Sequence, residues 1–157
     1  MNLWQNFELK RNKNTKSKGI SLHFQVGIDP MLRRMYISFA KWLRLNYIFP
    51  VHINVHIINA EKIRLLDGQM AYGGFRWYPK RAPMIRIAAA IEAELLTEYT
   101  KEEIYEQILS SLVHEISHYY QWFLELKQST ATSEHQANYF RYRIIDRYYE
   151  DTKQISS

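Results

Sequence analysis

The sequence predicts an α+β fold, and three observations predict it. Apolar and polar residues alternate with period two over 20–26 and 51–57, the pattern of half-buried strands. Apolar residues recur at helical spacing over 32–43 and 104–123. Helix-start signals precede both helical stretches, Asp29-Pro30 before the first and Thr100 with Glu103 before the second. With 157 residues and 46% hydrophobic content, the chain suits one globular unit with a real core.

In chain order, Ile20, Leu22, Phe24 and Val26 alternate with Ser21, His23 and Gln25 as the first strand. Asp29 then caps a helix whose first residue is Pro30, with Leu32, Met35, Tyr36, Phe39 and Leu43 on its apolar stripe and Pro50 ending it. Val51, Ile53, Val55 and Ile57 face away from His52, Asn54 and His56 in a second strand. Asp67-Gly68 marks a turn, and two more strands follow over 71–78 and 84–89. Pro79 and Pro83 between them suggest that this connection lies near a sheet edge. Gly73-Gly74 has no phosphate-loop context and permits a bend or bulge. The capping box Thr100/Glu103 starts a helix running to about Leu126, and Ser133 with Gln136 repeats that signal for a last helix through Ile144, Ile145 and Tyr148.

The net charge of +5 gathers near the N-terminus, where Lys10, Arg11, Lys13, Lys16 and Lys18 outweigh Glu8. The expected organisation is a basic flexible tail over 1–19, one domain over 20–150 and a C-terminal tail over 151–157. The basic tail offers a contact for nucleic acid or an acidic partner. No apolar run spans a bilayer and no secretory pattern opens the chain, so no membrane partner and a cytoplasmic location are expected. The absence of cysteine excludes disulfides and thiolate metal sites.

The chemistry concentrates on the last two helices. His114 and His118 are four residues apart, so both imidazoles project from one helix face toward a shared ion. Glu115 follows the first, in the position that serves a metal-bound water in an H-E-x-x-H motif. A third ligand is needed, and Glu134 in the first turn of the next helix can supply it; His135 points about 100° away. Asn138, one turn after Glu134, can steady a ligand from behind. His52 and His56 lack a neighbouring carboxylate and are expected to be solvent-exposed, and His23 is structural or exposed.

His114-Glu115-Ile116-Ser117-His118 followed by Glu134-His135-Gln136-Ala137-Asn138 resembles the gluzincin arrangement of small soluble zinc metallopeptidases, and the run to Phe140 is similar to the ImmA/IrrE family. SprT-like proteases differ in using histidine as third ligand. The resemblance implies a zincin-like metallopeptidase domain, a small mostly antiparallel sheet packed on the HExxH helix and a following C-terminal helix. It implies one zinc held by His114, His118 and Glu134, Glu115 as general base, Asn138 behind the ligands, and a peptide or protein substrate paired to an exposed edge strand, Met84 to Ala88. Tyr142, with Arg141 as its competitor, is the expected oxyanion stabiliser. The alternative is a regulatory or nucleic-acid-associated protein that keeps the scaffold with little or no peptidase activity.

Overall fold

A computed structural model describes residues 2–14 and 16–156. It is α+β, with a helical layer on one face of a four-stranded sheet. β1 (Ile20–Phe24) leads into α1 (Pro30–Asn46), then β2 (Ile53–Ile58). A small hairpin, β3 (Ile63–Arg64) and β4 (Met70–Ala71), precedes β5 (Gly73–Arg76) and β6 (Met84–Ala88). A short 3₁₀ turn at Ala93–Thr97 leads to α2 (Lys101–Phe123) and α3 (Thr130–Ser156). Among the described residues, no helix is long and apolar enough to cross a membrane.

The main sheet runs β1-β2-β6-β5, and only the β5–β6 pairing is antiparallel. This corrects the expected mostly antiparallel sheet. The reason lies in the connections, since α1 carries the chain back between β1 and β2 as parallel pairing requires, while within this sheet only the loop between β5 and β6 is hairpin-like. Met84 to Ala88 is not the edge either; β6 is paired on both sides, and β1 and β5 are the edge strands. Both prolines lie outside the paired residues, so they did not report the position of β6.

Period-two patterning settles the two faces. Leu22, Val55, Ile57, Ile85, Ile87 and Phe75 point toward the helices, where Phe75 meets Tyr119 and Trp122 and Phe24 meets Tyr36. The cap signals work as expected at both long helices: the Met31 N–H donates to Asp29 at 2.9 Å, and Thr100 and Glu103 bond reciprocally. α1 ends at Asn46, before Pro50, where Tyr47 turns extended and bridges Glu8. α2 stops short of Leu126 because Glu125 adopts φ 53 and the amides of Glu125 and Leu126 bond back to Trp122 and Gln121. Ser129, not Ser133, caps α3, its hydroxyl accepting from the Thr132 N–H at 3.1 Å.

The N-terminal segment is not a free tail. Leu3, Trp4 and Phe7 are buried around a 3₁₀ turn at Trp4–Phe7, and Phe7 stacks on Tyr120 with ring centroids 3.9 Å apart. Trp4 donates to the Ser117 hydroxyl at 2.9 Å, bracing the back of the motif-bearing helix. The Ile48 N–H donates to the Phe7 carbonyl, and Glu8 pairs with Arg147 at 3.6 Å. Three large apolar side chains outweigh the basic run that follows them; the lysines themselves stay exposed. The expected C-terminal tail from 151 is likewise corrected, because α3 continues to Ser156 and the Trp42 indole donates to Asp151 at 2.8 Å.

Candidate metal centre

α2 is buried along most of its length, yet His114 and His118 reach the surface of an open cleft between α2, α3 and β5. Their burial is partial because α3 crosses here with Ala137, whose small side chain lets the helices close up while Glu134 reaches over. The Glu134 carboxylate spans both rings: Oε2 lies 3.1 Å from His114 Nε2 and Oε1 lies 2.9 Å from His118 Nε2. The two Nε2 atoms are 3.2 Å apart. The three residues named from spacing thus meet as one cluster, with a ligand atom from each within 4.8 Å of the others. His135 is exposed and outside it.

Gln121, which the motif does not include, fixes the orientation of one ligand. Its amide NH₂ donates to the Ser133 carbonyl at 3.0 Å and to Gln136 at 2.9 Å, which turns its oxygen toward His118. That oxygen can only accept, so His118 Nδ1 carries the proton across the 2.8 Å between them. The Nε2 lone pair is therefore left facing the cluster. A signal for this residue exists in the sequence, because Gln121 is three residues after His118 and shares its helix face.

His114 has the opposite surroundings. Its Nδ1 is buried without a hydrogen-bond partner. Burial pushes its pKa down first, then His118, against the opposing pull of Glu134; Arg141 lowers it and Asn138 raises it. Asn138 lines the same cleft.

Glu115 is buried beneath β5, and burial first, with the Glu134 charge second, pushes its carboxyl up to about 8 against the lowering effect of Arg141. Gly73 accounts for the fit. A Cβ there would lie 3.2 Å from Glu115 Oε2 and 3.2 Å from Ile87, so the edge strand approaches the carboxylate because it has no side chain at that point. The glycine pair is a close-approach device, not a bulge: Gly73 and Gly74 pair regularly with Ile87 and Arg86.

Tyr142 does not join the site. Its hydroxyl donates to Gln107 at 2.8 Å, and the ring is half exposed away from the cleft. Arg141 lines the cleft instead, its guanidinium held on α2 by Ser110 and Ser111 at 2.9 Å each. Helical arithmetic explains the correction: seven residues after Glu134 return to within about 20° of its direction, whereas eight overshoot by about 80°.

The cleft has a volume of about 1310 Å³ and is walled by Leu65, Trp77, Trp122 and Phe123 as well as the polar cluster. That exceeds the ~300–1,000 Å³ of a typical small-molecule pocket and suits an extended chain. Comparison with protein-family models, curated proteins and solved structures found no match to this chain.

Proposed function

We propose that the protein is a gluzincin-type zinc metallopeptidase with a zincin-like domain, hydrolysing peptide bonds in an extended polypeptide. The observation that carries this reading is the meeting of two imidazole Nε2 atoms and one carboxylate at 2.9–3.2 Å beside a buried glutamate. Donor atoms around a tetrahedral zinc at about 2.0–2.1 Å stand about 3.3 Å apart, close to the 3.2 Å between the two ring nitrogens, and a carboxylate oxygen lies within 4.8 Å of both. Two nitrogens and one oxygen also match a catalytic zinc's ligand set, which leaves a fourth position for solvent.

His114, His118 and Glu134 would hold the ion, with Gln121 keeping the His118 ring turned and Asn138 beside His114. A zinc ion bound there supplies Lewis acidity toward water and a scissile carbonyl. Glu115, buried beside the cluster, would take the proton of the attacking water and deliver it to the departing amine. Arg141 replaces Tyr142 as the group opposing negative charge on the carbonyl oxygen. The free edge of β5, which borders the cleft, offers backbone groups to an extended substrate as strand addition requires.

The test is hydrolysis of a mixed peptide pool by the zinc-loaded protein and by Glu115→Gln. The variant is expected to keep its zinc and lose at least about 100-fold in rate. Equal hydrolysis by both would remove Glu115 from the chemistry, and none by the zinc-loaded wild type would favour the non-enzymatic scaffold.

A further inference from the structure

The helices cover only one face of the main sheet, and the opposite face has a distinct chemistry. The registers Ser21↔Asn54↔Met84 and His23↔His56↔Arg86 set side chains of three strands in rows on that outer face. His23 and His56 stack with ring centroids 4.7 Å apart and planes 16° apart, and His23 Nε2 also meets Asn54 at 3.0 Å. Arg86 is held extended by the Arg64 carbonyl at 3.0 Å. Beyond the end of β5, the Tyr78 ring meets two guanidiniums, with Arg81 3.8 Å and Arg76 5.3 Å from the ring centre.

The charge of this side is one-signed. Segments 16–28, 49–60 and 68–91, which contain β1, β2, β5 and β6, hold six Lys or Arg residues and no Asp or Glu, although the chain has 16 acidic residues. The N-terminal basic run joins the same side: the Lys18 carbonyl meets His52 Nδ1 at 3.0 Å, and Lys16 and Lys18 are exposed. The β3–β4 hairpin over one corner is balanced, with Lys62 and Arg64 set against Glu61 and Asp67.

We propose that this outer sheet face, continued by Lys16 and Lys18, binds single-stranded nucleic acid. Cations alone would suit any polyanion, but here they alternate with flat rings, and a strand of phosphates and unpaired bases satisfies both at once. An acidic peptide or anionic bilayer would pair with the cations but leave the exposed ring of His23 without a base to stack on it. Bases in a duplex already stack on one another, which disfavours double strands on such a platform. Arg76 and Arg86 also line the metal-site cleft, whereas His23, His56, Lys16 and Lys18 do not, so the surface extends beyond the cluster and this inference goes beyond the peptidase reading.

The experiment is fluorescence anisotropy of the full-length protein with labelled 20-nucleotide single strands of DNA and RNA, a duplex, polyglutamate and phosphatidylserine vesicles, over a salt series. Expected are single-strand binding stronger than to the other three probes and a steep salt dependence. Lys16→Ala/Lys18→Ala/Arg86→Ala should flatten the log–log salt slope by about 2, at about 0.7 for each phosphate no longer neutralised. His23→Ala/His56→Ala should weaken binding about 10-fold with the slope unchanged. Glu115→Gln should bind as the wild type does, so the result does not depend on peptidase activity. No single-strand binding at low salt, equal or tighter binding of the duplex, polyglutamate or vesicles, or unchanged affinity in both surface variants would overturn the proposal.

Discussion

Two pairs of histidines lie close together in this protein, and they differ in what they face. His114 and His118 present Nε2 atoms 3.2 Å apart to a carboxylate that touches both. His23 and His56 lie flat on each other, with an amide oxygen of Asn54 as the polar neighbour of His23. Proximity is common to both pairs; convergence of lone pairs on one point belongs only to the first. The secondary structure decides this, because helical spacing of four aims two rings at one ion, whereas paired parallel strands hold two rings side by side. Burial, and then the charge of His23, lowers the His56 pKa, with no carboxylate contributing.

The comparison is broken most severely at Gly73. Gly73→Val puts branched carbon where a single Cβ would already lie 3.2 Å from the Glu115 carboxylate. It is expected to cut hydrolysis about 100-fold while zinc content holds, since misplacing a reacting group by about 1 Å costs that much. A rate within about threefold of wild type would show that Glu115 needs no such fit. Gln121→Leu comes next. With the His118 proton unanchored, zinc affinity measured by chelator competition should fall about 10-fold or more. Unchanged affinity would reduce Gln121 to a helix–helix contact.

The smallest effect separates scaffold from site. The Lys101 hydrogen bond first, then the Tyr105 hydroxyl and the Met31 amide, hold the Asp29 carboxyl down to about 2. A depressed carboxylate stabilises the fold above its unfolded pKa, so this contribution is complete above about pH 4 and is lost as pH falls toward about 2. Asp29→Asn should flatten the acid limb of a denaturant-midpoint profile across that window and leave zinc binding at neutral pH unchanged. An acid limb as steep as in the wild type would place the linkage elsewhere.

Much of the molecule is legible in the sequence where the signal is local. Asp29-Pro30 and Thr100/Glu103 announce α1 and α2 because capping is settled within four residues. His114, His118 and Glu134 announce the cluster because each lies on a helix whose spacing fixes its direction. Sheet order is illegible, since no local pattern says that β6 ends up between β2 and β5. The N-terminal segment misleads because its lysines dominate the composition while Leu3, Trp4 and Phe7, on one face of a single turn, decide its fate. Arg141 and Gln121 are legible by angle, since each sits one or two turns from a ligand on the same stripe, whereas Tyr142 draws attention by its chemistry alone.

The central claim is that the helix-borne pair, not the sheet-borne pair, holds zinc. Metal content after zinc loading and desalting tests this directly in the wild type, His114→Ala/His118→Ala and His23→Ala/His56→Ala. About one zinc per chain is expected in the wild type and the sheet variant, from the one three-donor cluster among the described residues, and essentially none in the helix variant. Zinc retained by the helix variant, or lost from the sheet variant with its fold intact, would contradict the claim.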